Sequence, residues 1–329
     1  MIRQFRSLRP LAVYVFALAP LAAAALWGGL YVVSKWGFDS VPPVTLAFAR
    51  VAVGAATLLV VVRVAYPARA FTRRDWVGFL GLGAVVAASI VTQFLGTDLT
   101  TASQGSLITV STPVFTVLLG VFLLGERLTR RVVVGIGLAT VGTLLVLSGQ
   151  YDLGSITGGT TTGIVMLLLA SVTWAAYTVF GKPLIERYSA LETATYSAVA
   201  ATPMLAVLVP VELAVTDVSL AQLSPSVSLV LAITYLGVFG TAAAWYLWYK
   251  GLEYVDASVV SVFFFVQPVV GGLLGATFLG ESLGPLFLIG GLVMAAGVFL
   301  IATTEPTSRS TAEADGDDPG SPSAVGGSD

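Results

Sequence analysis

The sequence contains no cysteine and no histidine among its 329 residues. The lack of thiols excludes disulfide bonds, thiolate metal sites and thiol redox chemistry, and the lack of imidazoles removes the commonest metal ligand and the usual proton relay. Metal and haem enzymes are therefore poor candidates, and no cofactor is expected. A G-x-x-x-x-G-K-[ST] segment is also missing, which argues against ATP hydrolysis by this chain.

Charged residues are scarce as well, at 10% of the chain against 56% hydrophobic residues, and the mean hydropathy is +0.92. Soluble domains carry roughly 25% charged residues. The apolar runs reach the roughly 20 residues that a helix needs to cross a bilayer. We therefore expect the chain to reside in a lipid bilayer and to have no nucleic-acid partner. A homodimer is compatible with the sequence, but nothing in the sequence requires one.

Glycine, proline, polar and charged positions divide the apolar sequence into ten predicted helical spans, joined mostly by short loops. The fold class expected from this pattern is an all-α membrane protein. The spans are predicted near residues 14–36, 43–66, 76–95, 101–124, 131–148, 160–180, 190–211, 228–249, 256–279 and 285–303.

Basic residues predict the orientation of these spans, because short cytoplasmic loops retain lysine and arginine whereas exported loops do not. With a cytoplasmic N-terminus, fourteen of the sixteen basic residues fall on the cytoplasmic side, and the exceptions are Lys35 and Arg50. The prediction is a multi-pass protein of the cell membrane with both termini in the cytoplasm.

The chain carries an internal repeat. The segment PVFTVLLGVFLLGE, from Pro113 to Glu126, returns as PVVGGLLGATFLGE, from Pro268 to Glu281. Five spans per copy is an odd number, so the second copy must cross the membrane in the opposite direction. In agreement, the basic GERLTRR after the fourth span becomes GESLGPL, without basic residues, after the ninth. The fold expected is therefore two inverted five-helix repeats.

Four regions follow from this repeat: a cytoplasmic N-terminal segment (1–13), a first repeat (14–150), a second repeat (151–304) and a cytoplasmic tail (305–329). The tail is rich in Gly, Ser, Pro and acidic residues, and is expected to be disordered because it cannot bury enough apolar surface. Duplicated many-span membrane proteins are typically secondary transporters, whose halves move around a site between them.

Arg50 is the most specific functional clue in the sequence. It lies about seven residues into the second span, roughly 10 Å deep at 1.5 Å per residue. An arginine at that depth is costly unless it faces a cavity, an acid or backbone carbonyls, and such residues are functional candidates. A structural hydrogen bond to a neighbouring helix, or extension of the side chain to the outer interface, is the alternative interpretation.

Gln267 precedes Pro268 near the middle of the ninth span, where a carboxamide needs hydrogen-bonding partners and the proline interrupts the helix ladder. Thr112 and Pro113 are the equivalent pair in the fourth span. The two kinked helices are expected to face each other and to line the pathway. Gln104 belongs to a polar cluster at the outer half of the third and fourth spans, which is either part of this lining or a packing feature.

Many of the aromatic residues are expected at the membrane interface, where tryptophan and tyrosine are enriched. Trp27 and Trp174 differ because they occupy equivalent positions of the two repeats, several residues inside their spans. They are predicted to flank a central cavity as paired walls. Glu126 and Glu281 end the fourth and ninth spans, and each is expected to fix the start of the next helix or to close an end of the pathway with a basic partner.

The P-x(11)-G-E-x-L pattern, present in both repeats, resembles the EamA family of the drug/metabolite transporter superfamily over residues 14–303. The resemblance implies a ten-helix carrier with cytoplasmic termini and a central cavity between its halves. Family members export or exchange amino acids, other metabolites, nucleotide-linked compounds or toxic organic molecules. The wider superfamily includes carriers with an acidic residue in the first span, and Leu18–Tyr31 contains none.

The function predicted from these observations is a secondary transporter, an exporter or exchanger of small organic metabolites such as amino acids, that works by alternating access and is not an enzyme. The alternatives are a multidrug or toxic-compound exporter and, with less support, a membrane-embedded sensor or enzyme. The substrate-binding residues predicted are Trp27, Arg50, Gln104, Trp174 and Gln267.

Overall fold

The computed structural model describes residues 18–67, 69–100, 102–126, 128–150, 161–218, 226–279 and 284–302. These residues form ten helical segments, as the sequence predicts. Their bounds are α1, Ala19–Gly28 and Leu30–Phe38; α2, Pro43–Ala65; α3, Arg73–Asp98; α4, Ala102–Thr109 and Thr112–Leu124; α5, Arg130–Gln150; α6, Thr161–Arg187; α7, Ala190–Thr216; α8, Val227–Thr234, Tyr235–Ala243 and Ala244–Leu252; α9, Ala257–Ser261, Val262–Phe265 and Val266–Leu279; and α10, Pro285–Ala302.

Local sequence sets several of these helix ends. Helix α2 begins with Pro43, whose fixed φ suits the first turn. Thr72 and Asp75 form a capping box at the start of α3, each side chain accepting a hydrogen bond from the other residue's backbone N–H. Gly125 ends α4 with φ of 66°, a left-handed conformation that costs glycine no steric energy.

Four helices are irregular at membrane depth. Helix α1 is interrupted at Gly29 and α4 at 110–111, while α8 contains a π-helical stretch and α9 a 3₁₀ turn. In α4 and α9 the irregularity lies just before Pro113 and Pro268, which lack the N–H that a regular helix would use. Irregular backbone inside a membrane is tolerated where it is buried in protein or lines a cavity.

Five of the described helices are each long and apolar enough to cross a bilayer, namely Pro43–Ala65, Arg73–Asp98, Thr161–Arg187, Ala190–Thr216 and Val227–Leu252. Large apolar side chains such as Val64, Phe122 and Leu292 are exposed on the outside of the bundle. An apolar surface of this kind matches lipid rather than water.

Helices α5 and α10 show how the two halves are related. Gly135 meets Gly297, and Gly142 meets Gly290: a Cβ on Gly135 would lie 2.8 Å from the Gly297 carbonyl oxygen, and one on Gly142 would lie 2.6 Å from the Gly290 carbonyl oxygen. The two helices are therefore antiparallel. Since Gly135 corresponds to Gly290 and Gly142 to Gly297 in the sequence repeat, each contact is the symmetry mate of the other.

The main helix contacts obey the same exchange of halves. The contact of α3 with α6 is the equivalent of the contact of α8 with α1. In the same way, the contact of α3 with α7 is the equivalent of that of α8 with α2, and the contact of α4 with α6 is the equivalent of that of α9 with α1. Helices α2 and α7, and α4 and α9, contact their own equivalents. This arrangement is an inverted repeat with a pseudo-two-fold axis, and it leaves α1, α3 and α4 of the first half and α6, α8 and α9 of the second around the centre.

Two expectations from the sequence are corrected. The loop expected after residue 211 begins later, because α7 continues to Thr216 and carries Glu212 to the start of α2. There the carboxylate accepts hydrogen bonds from the backbone N–H groups of Val44 and Thr45, both at 2.7 Å. The segments 1–13 and 305–329 lie outside the described residues.

The second correction concerns the aromatic residues of α6 and α8, many of which were expected at the membrane interface. Tyr177, Trp245, Trp248 and Tyr249 are completely buried. Their rings pack against one another and against Trp174. These large rings fill the space between α6 and α8 at the centre of the bundle. Burying them there removes a large apolar area from contact with water.

Candidate functional site

A narrow cavity with a volume of about 30 Å³ lies between the two halves. It lies where α1 to α4 of the first half meet α6 and α9 of the second. Three pairs of repeat-equivalent residues contribute to it: Trp27 and Trp174, Thr109 and Phe264, and Thr112 and Gln267. The described residues that line it are Trp27, Leu30, Tyr31, Arg50, Ser89, Ile90, Gln93, Thr109, Thr112, Ala170, Ser171, Trp174, Phe264 and Gln267.

Arg50 carries the positive charge of this cavity. Only 1% of the residue is exposed. Its Nε donates to Thr241 Oγ1 at 2.8 Å, and its Nη2 donates to the Gly240 carbonyl oxygen at 3.0 Å. The guanidinium also lies over the Phe94 ring, 5.5 Å from its centroid. Within the described part of the chain, Arg50 forms no salt bridge with an acidic residue.

The partners of Arg50 belong to the π-helical stretch of α8. Gly240, within this stretch, accepts from Arg50 Nη2 and, at 2.8 Å, from Trp27 Nε1. One carbonyl thus fixes both the cation and an aromatic ring of the opposite half. Wide helical turns of this type are frequent at functional sites, where they present backbone groups to side chains. Backbone dipoles stabilise the buried charge here in place of a carboxylate.

The aromatic side of the cavity is a contiguous group of rings. Trp27 meets Trp174 edge to face with centroids 5.1 Å apart, and it packs on Trp248 at 5.3 Å and on Phe264 at 5.5 Å. The sequence predicted Trp27 and Trp174 as walls flanking the cavity. In the structure they touch each other and form one wall, because both belong to the aromatic cluster that α8 and α9 complete.

A hydrogen-bonded chain of polar residues lies beside this aromatic wall. Gln93 donates through Nε2 to the Tyr31 hydroxyl at 3.0 Å, and the Tyr31 hydroxyl pairs with the Thr109 hydroxyl. All three side chains line the cavity. The chain joins α1, α3 and α4, so it orients polar atoms from three helices of the first half toward one space.

Three buried donors at the cavity have no hydrogen-bonding partner: Arg50 Nη1, Trp174 Nε1 and Gln267 Nε2. The three residues are between 1% and 7% exposed. A buried donor without a partner costs free energy, of the order of 1–3 kcal/mol each. Three of them around one cavity are available to a group with hydrogen-bond acceptors.

Sequence reasoning did not single out Ser89 and Ser171, which also line the cavity. Ser89 donates to the Ala170 carbonyl oxygen and Ser171 to the Leu167 carbonyl oxygen, both at 3.0 Å. A signal was present in the spacing. Ser171 lies three residues before the predicted site residue Trp174, so the two share a helix face. Ser89 lies four residues before Gln93, another residue of the lining, on the same face of α3.

Of the predicted site residues, Trp27, Arg50, Trp174 and Gln267 lie together around the cavity. The side chain of Gln104 lies outside the described part of the structure, as does Glu281. Nothing among the described residues groups three or more acidic, cysteine or histidine side chains in a way that would hold a metal ion. The cavity lining contains a cation, hydroxyls, amides and aromatic rings.

Glu126 connects the two halves at one end of the bundle. Its carboxylate accepts hydrogen bonds from the backbone N–H groups of Ala257 at 2.8 Å and Ser258 at 3.1 Å. It also lies 3.6 Å from Lys182, whose Nζ is 2.7 Å from Asp256. Of the two alternatives that the sequence left open, capping of the next helix is wrong, because Glu126 caps α9 of the opposite half. The ion pair with Lys182 is the basic partner of the second alternative.

Comparison with known proteins agrees with this architecture. A model of the EamA-like transporter family matches twice, over residues 14–148 and 161–303. A probable amino-acid metabolite efflux pump of Salmonella typhimurium (strain LT2) is 28% identical over 294 residues, which cover 85% of this chain and 92% of the relative. A probable terminal-alkyne amino-acid exporter of Streptantibioticus cattleyicolor is 31% identical over 203 residues, 61% of this chain and 64% of the relative.

An uncharacterized transporter of Archaeoglobus fulgidus is 27% identical over 277 residues, which cover 84% of this chain and 94% of the relative. A crystal structure of a protein 21% identical to this chain matches with a TM-score of 0.70, over 87% of this chain and 95% of the other. At that identity the likeness concerns the fold. The duplicated family match extends over both halves, so this multi-pass membrane protein, which is a transporter and not an enzyme, belongs to the EamA-like transporter family.

Proposed function

We propose that the protein is a secondary carrier that exports or exchanges small organic metabolites such as amino acids across the cell membrane. The observation that carries this proposal is the cavity at the junction of the two inverted halves, which is lined by Arg50 and by the Trp27–Trp174 wall. Sites at repeat interfaces near the bilayer midplane are typical of secondary carriers. The names of two relatives, an amino-acid metabolite efflux pump and an amino-acid exporter, agree with this substrate class.

Alternating access would follow from the inverted symmetry. Because each half supplies equivalent helices, exchanging their conformations converts a cavity open to one side into one open to the other. Glu126 and Lys182 close one end of the bundle by joining α4 to α6 and α9. We assign this end to the cytoplasm and both termini to the same side, on the basis of the distribution of basic residues.

A multidrug exporter of lipophilic cations is the rival within the same fold. The described lining of the cavity argues against it, because Arg50 repels cations and the lining contains no carboxylate to attract them. Cation–π attraction by the tryptophans is the one favourable interaction left for such a substrate. The charge of the cavity therefore favours anionic or zwitterionic metabolites.

Flux into proteoliposomes tests the proposal. The full chain is reconstituted, and saturable uptake is measured for a panel of labelled amino acids and related metabolites, against empty vesicles. We expect saturable uptake of some members, and Arg50→Ala is expected to reduce it at least about tenfold because a charged hydrogen bond is lost from the site. Arg50→Lys, which keeps the charge but not the fork of donors, is expected to be intermediate.

Arg63→Ala is the matched control, since Arg63 is an exposed arginine on the same helix α2. It should leave uptake unchanged. Saturable uptake that is insensitive to Arg50→Ala would remove Arg50 from the site, and the absence of saturable uptake for the whole panel would refute metabolite transport.

A further inference from the structure

The cavity has two kinds of hydrogen-bonding group: buried N–H donors without a partner, and hydroxyls whose protons are already donated to other atoms. The free donors are Arg50 Nη1, Gln267 Nε2 and Trp174 Nε1, each on a residue that is more than nine-tenths buried. They come from α2, α9 and α6, so both halves of the molecule contribute. Three fixed donors, one of them charged, are the complement of a group that carries a negative charge and several lone pairs.

The hydroxyl groups of the cavity have the opposite character. Thr109 donates to the Gly105 carbonyl oxygen at 2.8 Å, and Thr112 donates to the Thr109 carbonyl oxygen at 2.7 Å. Ser89 and Ser171 likewise donate to backbone carbonyls. Since each hydroxyl has one proton, these groups can offer a ligand only their lone pairs. They are neutral acceptors, and no acidic side chain is present in the described lining.

We propose that the carboxylate is the group this carrier recognises, through Arg50, Gln267 and Trp174, and that an α-amino group is dispensable. The substrate class is monocarboxylates with an apolar or aromatic side chain, which includes amino acids and also their deaminated analogues. This inference rests on the proposed function. An ammonium group would meet aromatic faces and neutral acceptors, namely hydroxyl lone pairs and the side-chain carbonyl oxygens of Gln93 and Gln267. The carboxylate meets a guanidinium and two N–H donors.

The aromatic wall selects the rest of the substrate. Trp27, Trp174 and Phe264 present apolar ring faces to the cavity. Its volume of about 30 Å³ is smaller than that of a ligand pocket, so the cavity has to widen when the two halves move before a substrate side chain reaches these rings. A side chain that stacks on rings fits this wall, and a second charged group has no counter-ion there. A dicarboxylate or a basic amino acid should therefore bind more weakly than phenylalanine.

Three ligands of nearly equal shape distinguish the contribution of the carboxylate from that of the amino group. They are phenylalanine, phenylalaninamide, which lacks the carboxylate, and 3-phenylpropionate, which lacks the amine. Binding is measured on the purified full chain in detergent from the change in tryptophan fluorescence, since tryptophans line the cavity. Inhibition of labelled phenylalanine uptake into proteoliposomes is the parallel measurement. We expect the amide to bind at least about tenfold more weakly than phenylalanine, and 3-phenylpropionate to bind within about threefold of it.

Conservative variants identify the donors. Gln267→Leu and Trp174→Phe each remove one N–H while keeping most of the shape, and should weaken binding of the two carboxylates several-fold without weakening the amide. Trp245→Phe is the matched control, because its indole N–H is also buried without a partner but Trp245 does not line the cavity. It should leave the preference for acid over amide intact.

The outcomes separate this inference from the function on which it rests. If the amide competes as well as the acid, or if 3-phenylpropionate fails where phenylalanine binds, the inference is refuted while amino-acid transport stands. If variants of Gln267 and Trp174 lower acid and amide affinity equally, these residues act through packing and the assignment of donors is wrong. If neither phenylalanine nor 3-phenylpropionate is bound or transported while other panel members are, the substrate class proposed here is wrong. If no panel member shows saturable flux, the proposed function itself is refuted.

Discussion

Arg50 holds a full positive charge inside the membrane-embedded bundle with backbone and hydroxyl partners in place of an acid. Thr241 is the partner that fixes its orientation, since Thr241 Oγ1 accepts from Arg50 Nε and donates to the Leu236 carbonyl oxygen, both at 2.8 Å. This position of Thr241 uses the π-helical turn, because a regular helix would direct the hydroxyl to a carbonyl four residues back. The direction of the free Nη1 donor therefore depends on a residue that does not line the cavity.

Thr241→Val removes this acceptor and preserves the side-chain shape. We expect the free energy of unfolding to fall by about 1–3 kcal/mol, because a buried donor of the guanidinium loses its partner. The KM for the transported metabolite should rise several-fold while the charge of the site is kept. Thermal unfolding in detergent and uptake kinetics are the measurements.

Thr234→Val on the same helix is the control, since Thr234 is exposed and bonds only to the Val230 carbonyl oxygen of its own helix among the described contacts. A Thr241→Val protein that matched this control in both Tm and KM would show that Arg50 orients itself without Thr241.

At the level of helices, α5 and α10 form the closest backbone contact between the halves. A Cβ on Gly142 would lie 2.4 Å from the Met294 backbone nitrogen, and one on Gly297 would lie 2.6 Å from the Ala139 nitrogen. Real Cβ atoms do not approach backbone atoms so closely. Helix pairs in lipid depend on such packing because the bilayer supplies no hydrophobic force between them.

Gly142→Ala is therefore expected to force α5 and α10 apart and to lower the Tm in detergent, by the equivalent of several kcal/mol if the helices cannot shift. Gly297→Ala, its symmetry mate, should have a similar effect. Gly137→Ala on the same helix is the matched control, since no described atom of a neighbouring helix lies within 4 Å of the place that its methyl group would occupy. That variant should be neutral or stabilising by about 0.5–1 kcal/mol, as alanine favours a helix over glycine. Equal Tm values for Gly142→Ala and Gly137→Ala would contradict the contact.

At the level of the molecule, inversion of the halves predicts the sides on which equivalent loops are found. The chain has no cysteine of its own, so single cysteines report accessibility without background. Leu128→Cys, after α4, should react with a membrane-impermeant maleimide only from the cytoplasm, and Gly284→Cys, after α9, only from outside. Labelling of both positions from the same side would contradict the inverted arrangement, and a complete reversal would correct the orientation of the termini alone.

The duplication and the helix positions could be predicted from the sequence because both depend on local patterns, namely apolar runs and the repeated Pro and Gly-Glu positions. The partners of Arg50 could not, since Gly240 and Thr241 lie about 190 positions away along the chain and depend on a π-helical turn that has no clear sequence signal. The same holds for the buried role of Trp245, since an aromatic residue in a span suits the core and the interface equally. Trp27 and Trp174 were found through their equivalence in the repeat.

The antiparallel glycine contact of α5 and α10 has a consequence for how such a chain can originate. The contact of Gly135 with Gly297 is the equivalent of the contact of Gly290 with Gly142. Both halves therefore supply the same glycines to it. Two separate five-helix chains of identical sequence, inserted in opposite directions, would therefore have what is needed to form it. Joining them into one polypeptide fixes their stoichiometry and allows each half to diverge. One half can then carry a cation, Arg50, where the other carries Ser197 at the corresponding position.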